Sequence, residues 1–451
     1  MSADLDKTEP KENLRWYQGV PRYAWTVLII AGLGWMFDAL DQNLFSLVRQ
    51  PSVTEILIET GRFVADDPKL DAAAKVIGGN LTAIFLIGWA IGGFIFGILG
   101  DKIGRTRTMM ITICIYAIFT GLNGFVHTIP MYALCRFITA LGVGGEFAAG
   151  AALVAEVWPQ RSRPMALGTL QALSTVGNMG AAGITYFSGA NWRVVYFVGA
   201  LPALLVLWIR ASVKEPERWK QAVSEQPHKA GNIGSLFSDP VLRRNAIAGT
   251  LIALAGVGGL WGIGFFLPDL VGSVLKPLTQ GMEPAVAKRQ LAQWRSEIFF
   301  YQQVGGFFGM FAYAALSERV GRRPSLALFL FLAFVSIEAA FWGIHDLGSA
   351  KIYGMFMGFC TLAPFSAFAV YFPELFPTRL RATGIGFCYN CARLLAAAAP
   401  FALGGLSKHF ASPTDETAGL RTAAAIIAFI YFVGYIGLAL APETKGKPLP
   451  E

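Results

Sequence analysis

Glu156, Pro159, Arg161 and Arg163 return in the same order and spacing as Glu374, Pro377, Arg379 and Arg381. A second set, Asp101, Gly104 and Arg105, returns as Glu318, Gly321 and Arg322. The two offsets agree to within a single residue, so this chain of 451 residues is two copies of one architectural unit. Internal duplication at this scale excludes a one-off fold, and repeated halves in a membrane protein meet across a central path. Movement of a solute along that path is the implied activity.

The membrane enters through composition. Hydrophobic residues make up 54% of the chain, charged residues 15%, and mean hydropathy is +0.51. A soluble domain carries about 25% charged residues. Apolar runs cover 27–47, 77–99, 109–126, 131–154, 165–187 and 194–209, then 246–271, 298–316, 326–344, 352–371, 382–406 and 423–440. A helix needs about 20 apolar residues to span a bilayer, and strands of alternating polarity are absent from the pattern. The expectation is an all-α membrane protein of twelve transmembrane helices in two pseudo-symmetric six-helix bundles. Residues 1–211 form the first bundle and 244–451 the second, joined by a polar linker at 212–243 in which 217–223 reads as a short surface helix. Glycines spaced by four, Gly88 with Gly92, Gly93 with Gly97 and Gly305 with Gly309, put small residues on one helix face for close packing. Such contacts between the halves would also permit sliding.

With the amino terminus in the cytoplasm, most of the 37 Lys and Arg fall on cytoplasmic segments. The outward ones gather in two long loops, 49–75 and 272–295, where the charge rule is weaker. Both ends are thus expected to be cytoplasmic in a multi-pass protein of a plasma or inner membrane. The net charge of +8 follows from this topology and from anionic lipid, and no nucleic-acid partner is indicated. The first 23 residues lack the pattern of a cleaved signal peptide. All five cysteines fall inside predicted spans, and Cys388 with Cys391 reads as packing rather than as a redox or metal pair.

The residues also resemble a family. Gly97, Asp101, Lys102, Gly104 and Arg105 are similar to the signature loop between spans two and three of the major facilitator superfamily, with the degenerate copy between spans eight and nine. Arg136 followed by Gly142, Gly144, Gly145 and Glu146 resembles the fourth-helix motif of its proton-coupled members. Pro442, Glu443, Thr444, Lys445 and Gly446 resemble the carboxyl-terminal motif of its sugar porters and carboxylate symporters, and Gln171 with Gly177 resembles sugar-porter helix five. Span seven, with Gly258, Gly259, Trp261 and Gly262, lacks the paired glutamines that sugar porters place on hexose hydroxyls. Phe37, Asp38 and Asp41 look more like the acid:proton symporters of aromatic acids, sialic acid and monocarboxylates. The resemblance implies the twelve-helix fold, a role for Arg136 as counter-ion, and Asp41 as the acid that carries the proton.

A charge at mid-membrane costs about 2.5–3.5 kcal/mol on an insertion scale, so each such residue needs a cavity or a partner. Asp38 and Asp41, three apart on span one, share a helix face. Two carboxylates in a low-dielectric cleft cannot both ionise cheaply, so a proton can be taken up and released there; the alternative is a structural ion pair with Arg136 that stabilises the first bundle. Glu146, about 15 Å along span four from Arg136, is either a second proton site or bonds across to a neighbouring helix. Arg393, beside Tyr389 and Asn390, offers a planar fork suited to a carboxylate; the alternative is a pairing with an acid such as Glu338. Gln171, Asn178, Gln302 and Gln303 supply neutral hydrogen-bonding groups, and Trp89, Trp261 and Tyr301 apolar walls. His127 and His345 read as interfacial. At the cytoplasmic helix ends, Asp101, Arg105, Glu156, Arg161 and Arg163 of one half and Glu318, Arg322, Glu374, Arg379 and Arg381 of the other are expected to pair across the halves and close that side.

These readings give a secondary active transporter, not an enzyme: proton-coupled symport of a small organic carboxylate by alternating access, working as a monomer. No metal cluster or nucleotide-binding loop is present in the sequence, so no cofactor is expected beyond the coupling proton. The alternatives are a sugar or polyol symporter, an exporter of apolar compounds, and a nutrient sensor that no longer moves solute.

Overall fold

Inside lipid, each backbone N–H and C=O must find its partner within the same segment, which leaves helix as the solution for a chain that does not close into a barrel. The structure, a computed structural model, describes residues 15–64, 67, 69–187, 192–201, 203–225, 230–412 and 417–451, and among these there is no strand. In the first half α1 (Arg22–Glu59), α2 (Leu70–Lys102), α3 (Arg105–Asn123), α4 (Ile129–Val157) and α5 (Arg163–Phe187) are followed by α6 (Trp192–Gly199) and α7 (Ala203–Ser212) on the sixth predicted span. The linker holds α8 (Glu217–Glu225) and α9 (Ser235–Ser238). The second half begins with α10 (Pro240–Gly262) and α11 (Leu267–Leu275) on the seventh span, then α12 (Pro284–Val320), α13 (Arg322–Gly343) and α14 (Leu347–Leu375). The eleventh span is α15 (Arg381–Ala396) with α16 (Ala399–His409), and the twelfth α17 (Ala418–Ala428) with α18 (Val433–Leu440). Among the described residues each predicted run contains helix, and eight helical stretches are by themselves long and apolar enough to cross a bilayer.

Two helices outrun their predicted spans. α1 continues to Glu59 because Val53, Ile56 and Leu57 give the extension an apolar face, buried with Trp192 and Val195 of α6. α12 begins at Pro284 rather than at 298. Much of the two long outer loops is therefore helix.

The glycine pairs do two jobs. Within the first half, a Cβ at Gly92 would sit 2.1 Å from the Leu141 carbonyl oxygen and one at Gly144 2.2 Å from that of Trp89, so α2 and α4 touch backbone to backbone. The copy repeats this: Gly305 and Gly309 of α12 lie as closely on the Met355 and Phe359 carbonyls of α14. Between the halves, Gly93 leaves room for the Asn390 amide and Gly97 faces the Ala382 carbonyl, so α2 meets α15 along a seam of small residues.

The repeated loops use glycine differently. Gly104 (φ 111°) and Gly321 (φ 109°) precede α3 and α13 in a backbone region that side chains disfavour. Each opens space for an acid at the helix start. Glu215 accepts from the Thr106 and Arg107 amides (3.3 and 3.0 Å), and Glu443 from those of Arg322 and Arg323 (3.0 Å each). Burial works against the Glu443 carboxylate. The N–H groups of Arg322, Lys445, Arg323 and Thr444 outweigh it and hold the group below its usual range, as a helix N-terminus favours an anion.

Gly92→Ala should destabilise the protein by about 1–3 kcal/mol, because a rigid carbonyl occupies the new methyl's place. Gly79→Ala, with nothing within 4 Å, should be neutral or stabilising by up to about 1 kcal/mol. Thermal midpoints in detergent check both. A depressed carboxylate contributes stability that is present above its unfolded pKa and lost as pH falls through the folded one. Wild type should therefore lose more stability than Glu443→Gln on acidification below about pH 4.5, read as the midpoint difference between the two proteins.

Candidate substrate and coupling site

α1, α3 and α4 bring one ion pair together inside the first half. Arg136 Nη1 lies 3.3 Å from Asp41 Oδ2, and the Thr120 hydroxyl donates to Asp41 Oδ1 at 2.7 Å. The guanidinium stacks 4.2 Å from the Phe45 ring centre and 4.3 Å from that of Phe85, while its Nε and Nη2 have no hydrogen-bond acceptor. Ring faces thus complete the coordination of a cation that a single acid only partly satisfies.

One helical turn deeper sits a different arrangement. The Asp38 and Glu146 carboxyl groups face each other, and none of their four oxygens has a hydrogen-bond donor. Gly34 makes this possible, since a Cβ there would lie 1.6 Å from Glu146 Oε1. The Tyr116 hydroxyl, buried and equally without a partner, faces the same acids from α3. Asp38 and Asp41 share a buried helix face, as their spacing predicts, but they serve separate partners.

At the seam between the halves, Arg393 lies 3.8 Å from the ring centre of Trp89, on α2, and 4.4 Å from that of Tyr389. Its Nη1 donates to the Asn390 side-chain oxygen, and its Nε is unpartnered. Among the described residues no carboxylate lies within ion-pair distance of it. Glu338 bonds instead to Trp342 on its own helix. Trp261 meets Trp89 edge-on at 6.1 Å. A string of amides crosses the seam elsewhere: Asn43 donates to Asn178 at 2.7 Å, and Asn178 to Gln303 at 2.8 Å.

The charged repeats knit one face shut. Asp101 accepts from the Ala382 and Thr383 amides (3.2 and 2.8 Å) and the Thr383 hydroxyl (2.6 Å), all in the other half, and pairs with Arg105 at 3.0 Å. Arg105 also reaches Glu156 at 3.0 Å and the Thr378 carbonyl at 2.6 Å. Glu156 takes Arg381 across the seam at 2.7 Å. The mirror pair Arg322–Glu374, at 2.8 Å, stays within the second half, and Arg163 faces Glu374 with its Nε unpartnered. Trp219 of α8 donates to the Asp101 carbonyl at 2.8 Å. Thr444 donates to Glu374 at 2.6 Å, and Arg381 to the Pro450 carbonyl at 2.9 Å, so the carboxyl-terminal segment straps the same face.

Besides the Arg322–Glu374 pair, which stays within the second half instead of crossing the seam, five expectations need correction. Arg161 bonds the Gln18 carbonyl at 2.7 Å in its own half, because it lies on the exposed side of its turn. Arg379 contributes its carbonyl, to the Gly231 amide, while its Nε has no partner. Glu318 reaches across to the Met165 amide rather than to a cation of the first half. Gln302 donates to the Gly264 carbonyl at 3.3 Å, serving the break between α10 and α11. Tyr301 lines an open apolar cavity of about 480 Å³ with Phe308, Ile352 and Met355, away from the seam. Gln171 is buried with its Oε1 unpartnered. Thr120, Asn43, Gly34 and the rings of Phe45 and Phe85 were not singled out by the sequence. Of these, only Gly34, one turn before Asp38, carries a local signal.

The profile described as Major Facilitator Superfamily matches residues 24–287, and that described as Sugar (and other) transporter matches 307–451. A probable 4-methylmuconolactone transporter of Cupriavidus pinatubonensis is 30% identical over 92% of this chain and 89% of its own. The sialic acid transporter of Escherichia coli is 28% identical over 85% and 88%. Among solved structures, a proton:xylose symporter superposes with a TM-score of 0.72 at 19% identity, covering 95% of this chain and 98% of that one; at that identity the likeness is one of fold.

Glu156→Gln should open the closed face, since it deprives two buried guanidinium groups of their shared carboxylate. Removing one partner of a buried pair costs about 3–5 kcal/mol, and about 1.4 kcal/mol shifts an equilibrium tenfold. Thiol labelling at Ala382→Cys, a site buried in the closed seam, should quicken at least about tenfold. An unchanged labelling rate would show that Glu156 does not hold the halves together.

Proposed function

Because the chain belongs to the Major Facilitator Superfamily, and is a transporter rather than an enzyme, we propose that it moves a small organic carboxylate by proton symport through alternating access. Arg393 carries this reading. It is a permanent cation buried at the seam of the two halves, held by ring faces, the Asn390 amide and the Tyr389 hydroxyl, with no acid among the described residues at ion-pair distance. Such a fork is open to a bidentate carboxylate from a solute. Relatives are named for sialic acid, niacin and cis,cis-muconate, which supports an acid as the solute.

Protons enter the reading through the first half. Two facing carboxyl groups with no other donor are stable as an acid pair holding a proton between them, which is how we read Asp38 and Glu146. Protonation of Asp41 would remove the charge that positions Arg136. The proton and the anion together then load the protein without adding net charge to a low-dielectric interior. The face strapped by Asp101, Glu156 and Arg381 is assigned to the cytoplasm by the basic loops. Its closure leaves the opposite side for entry, and release follows when the strap parts. No cofactor other than the proton is invoked, and one chain suffices. The amides of Asn178, Gln303 and Gln171 favour a second reading, a polyhydroxylated solute, since they suit hydroxyls better than a carboxylate does.

Purified protein in liposomes with an imposed pH gradient, offered cis,cis-muconate, nicotinate, sialic acid and xylose, separates the two. Accumulation of an acid driven by the gradient is expected. Arg393→Lys, which keeps the charge but loses the fork, should weaken the acid's affinity about tenfold or more. Asp41→Asn should abolish uphill accumulation while exchange of solute persists. Accumulation that ignores the pH gradient would remove symport, and xylose alone being carried would replace the carboxylate.

A further inference from the structure

We propose that Phe85 and Trp89 of α2 transmit the state of the Asp41–Arg136 pair to Arg393, so that the proton site and the anion site are joined by one aromatic ladder. The inference rests on the reading of Arg393 as the anion's partner, but its geometry stands apart from any solute.

The rungs are continuous. Arg136 lies over Phe45 and Phe85, whose rings stack 6.3 Å apart. Phe85 meets Trp89 edge-on at 5.8 Å, and the face of Trp89 holds Arg393 at 3.8 Å. Phe85 and Trp89 are four apart on one helix and therefore lie on one side of it. Arg136 belongs to the first half and Arg393 to the second, so the ladder crosses the seam that must rearrange.

Each end is held loosely enough to respond. The one acid on Arg136 sits at 3.3 Å, and two of its nitrogens have no acceptor. If Asp41 loses its charge, the rings become the main attraction left on the guanidinium, which moves onto them. Besides Arg136, the charged or titratable groups around Asp41 are Asp38 on α1, Tyr116 on α3, Tyr132 on α4 and Tyr196 on α6. Of these only Asp38 is an acid that could take over Arg136, and it sits against Glu146 instead. The backbone of α2 cannot absorb the movement, because the Trp89 carbonyl and Gly93 amide are pressed against Gly144 of α4. Displacement of the Phe85 ring must then pass to the indole of Trp89 and to the cation stacked on it. Arg393 donates to the Asn390 side-chain oxygen, meets the Tyr389 hydroxyl, and is otherwise placed by ring faces rather than by an acid. The ladder thus sets how the fork is presented.

The test needs no solute, so its failure is distinguishable from failure of the carboxylate reading, which the uptake assay decides. The protein is labelled with 5-fluorotryptophan, and the Trp89 resonance is assigned by its loss in Trp89→Phe. Asp41→Asn should displace that resonance at constant pH. In the double variants Asp41→Asn with Phe85→Leu, and Asp41→Asn with Phe85→Met, the displacement relative to the Phe85 variant alone should vanish. A Trp89 resonance that ignores Asp41→Asn overturns the proposal. So does a displacement that survives both Phe85 replacements, which would be the direct field of the lost charge rather than a relay through the ring.

Discussion

Glu156 holds the architecture at the point where it must also come apart. Its carboxylate serves Arg105 of its own half and Arg381 of the other, and all three side chains are fully buried. Charges so placed are stable only while paired, since each would otherwise carry the cost of its own desolvation. Opening this face therefore cannot proceed by halves. Either Arg381 stays with Glu156 or water replaces it, and under the proposed alternating access that all-or-none choice would make the two bundles bistable. The hydrogen bonds from Ala382 and Thr383 to Asp101 reinforce the same state, because they too exist only when α15 lies against α2.

The inner charges obey a different rule. Asp41 and Arg136 compensate one another inside a single bundle, and Asp38 and Glu146 sit against each other in a slot that Gly34 vacates. Both pairs lie within the first bundle, so parting of the halves would not in itself break them. Arg393 is the exception. Its contacts with Trp89 cross the seam, and it depends on ring faces rather than on a fixed acid. A cation held this way keeps its Nε unclaimed and has no fixed acid, whereas a salt bridge to Glu338 would have supplied one.

How much of this could be read from the chain depends on how far the deciding contact lies in sequence. Constant spacing of the charged cassettes exposed the duplication and the loop acids, and the apolar runs exposed the helical spans, because those facts are local or periodic. The Asp41–Arg136 pairing was also within reach, since few charges lie inside the spans and each needs an opposite. The slot at Gly34 was not, because it depends on which face of α4 turns toward α1, and a glycine-rich helix carries no amphipathic stripe to fix that face. Thr120 and Asn43 were lost for a similar reason: a Thr or Asn in a span is common, and only assembly shows which one reaches a carboxylate or an amide. The wrong assignments of Arg161 and Arg379 arose because a repeat predicts equivalent places without predicting equivalent partners. Arg381 meets Glu156 directly, while its copy Arg163 only faces Glu374.

That inequality extends inward. The loop charges occur in both copies, and so do the glycines that let α2 lie on α4 and α12 on α14. The span matching α1 runs instead through Ala255, Gly258 and Gly259, with no acid at the level of Asp38 and Asp41. Arg393 has no cation at the equivalent depth of α5, where Thr175 and Val176 stand. Duplication has thus kept the loop charges and the glycine contacts common to both bundles, and has let the interior diverge. The first bundle retains acids that can hold protons, and the second a cation that cannot release one at any ordinary pH. A rocking mechanism requires that division. If both bundles carried acids, the loaded state would still lack a group to hold an anion; if both carried arginines, nothing inside would respond to the proton gradient.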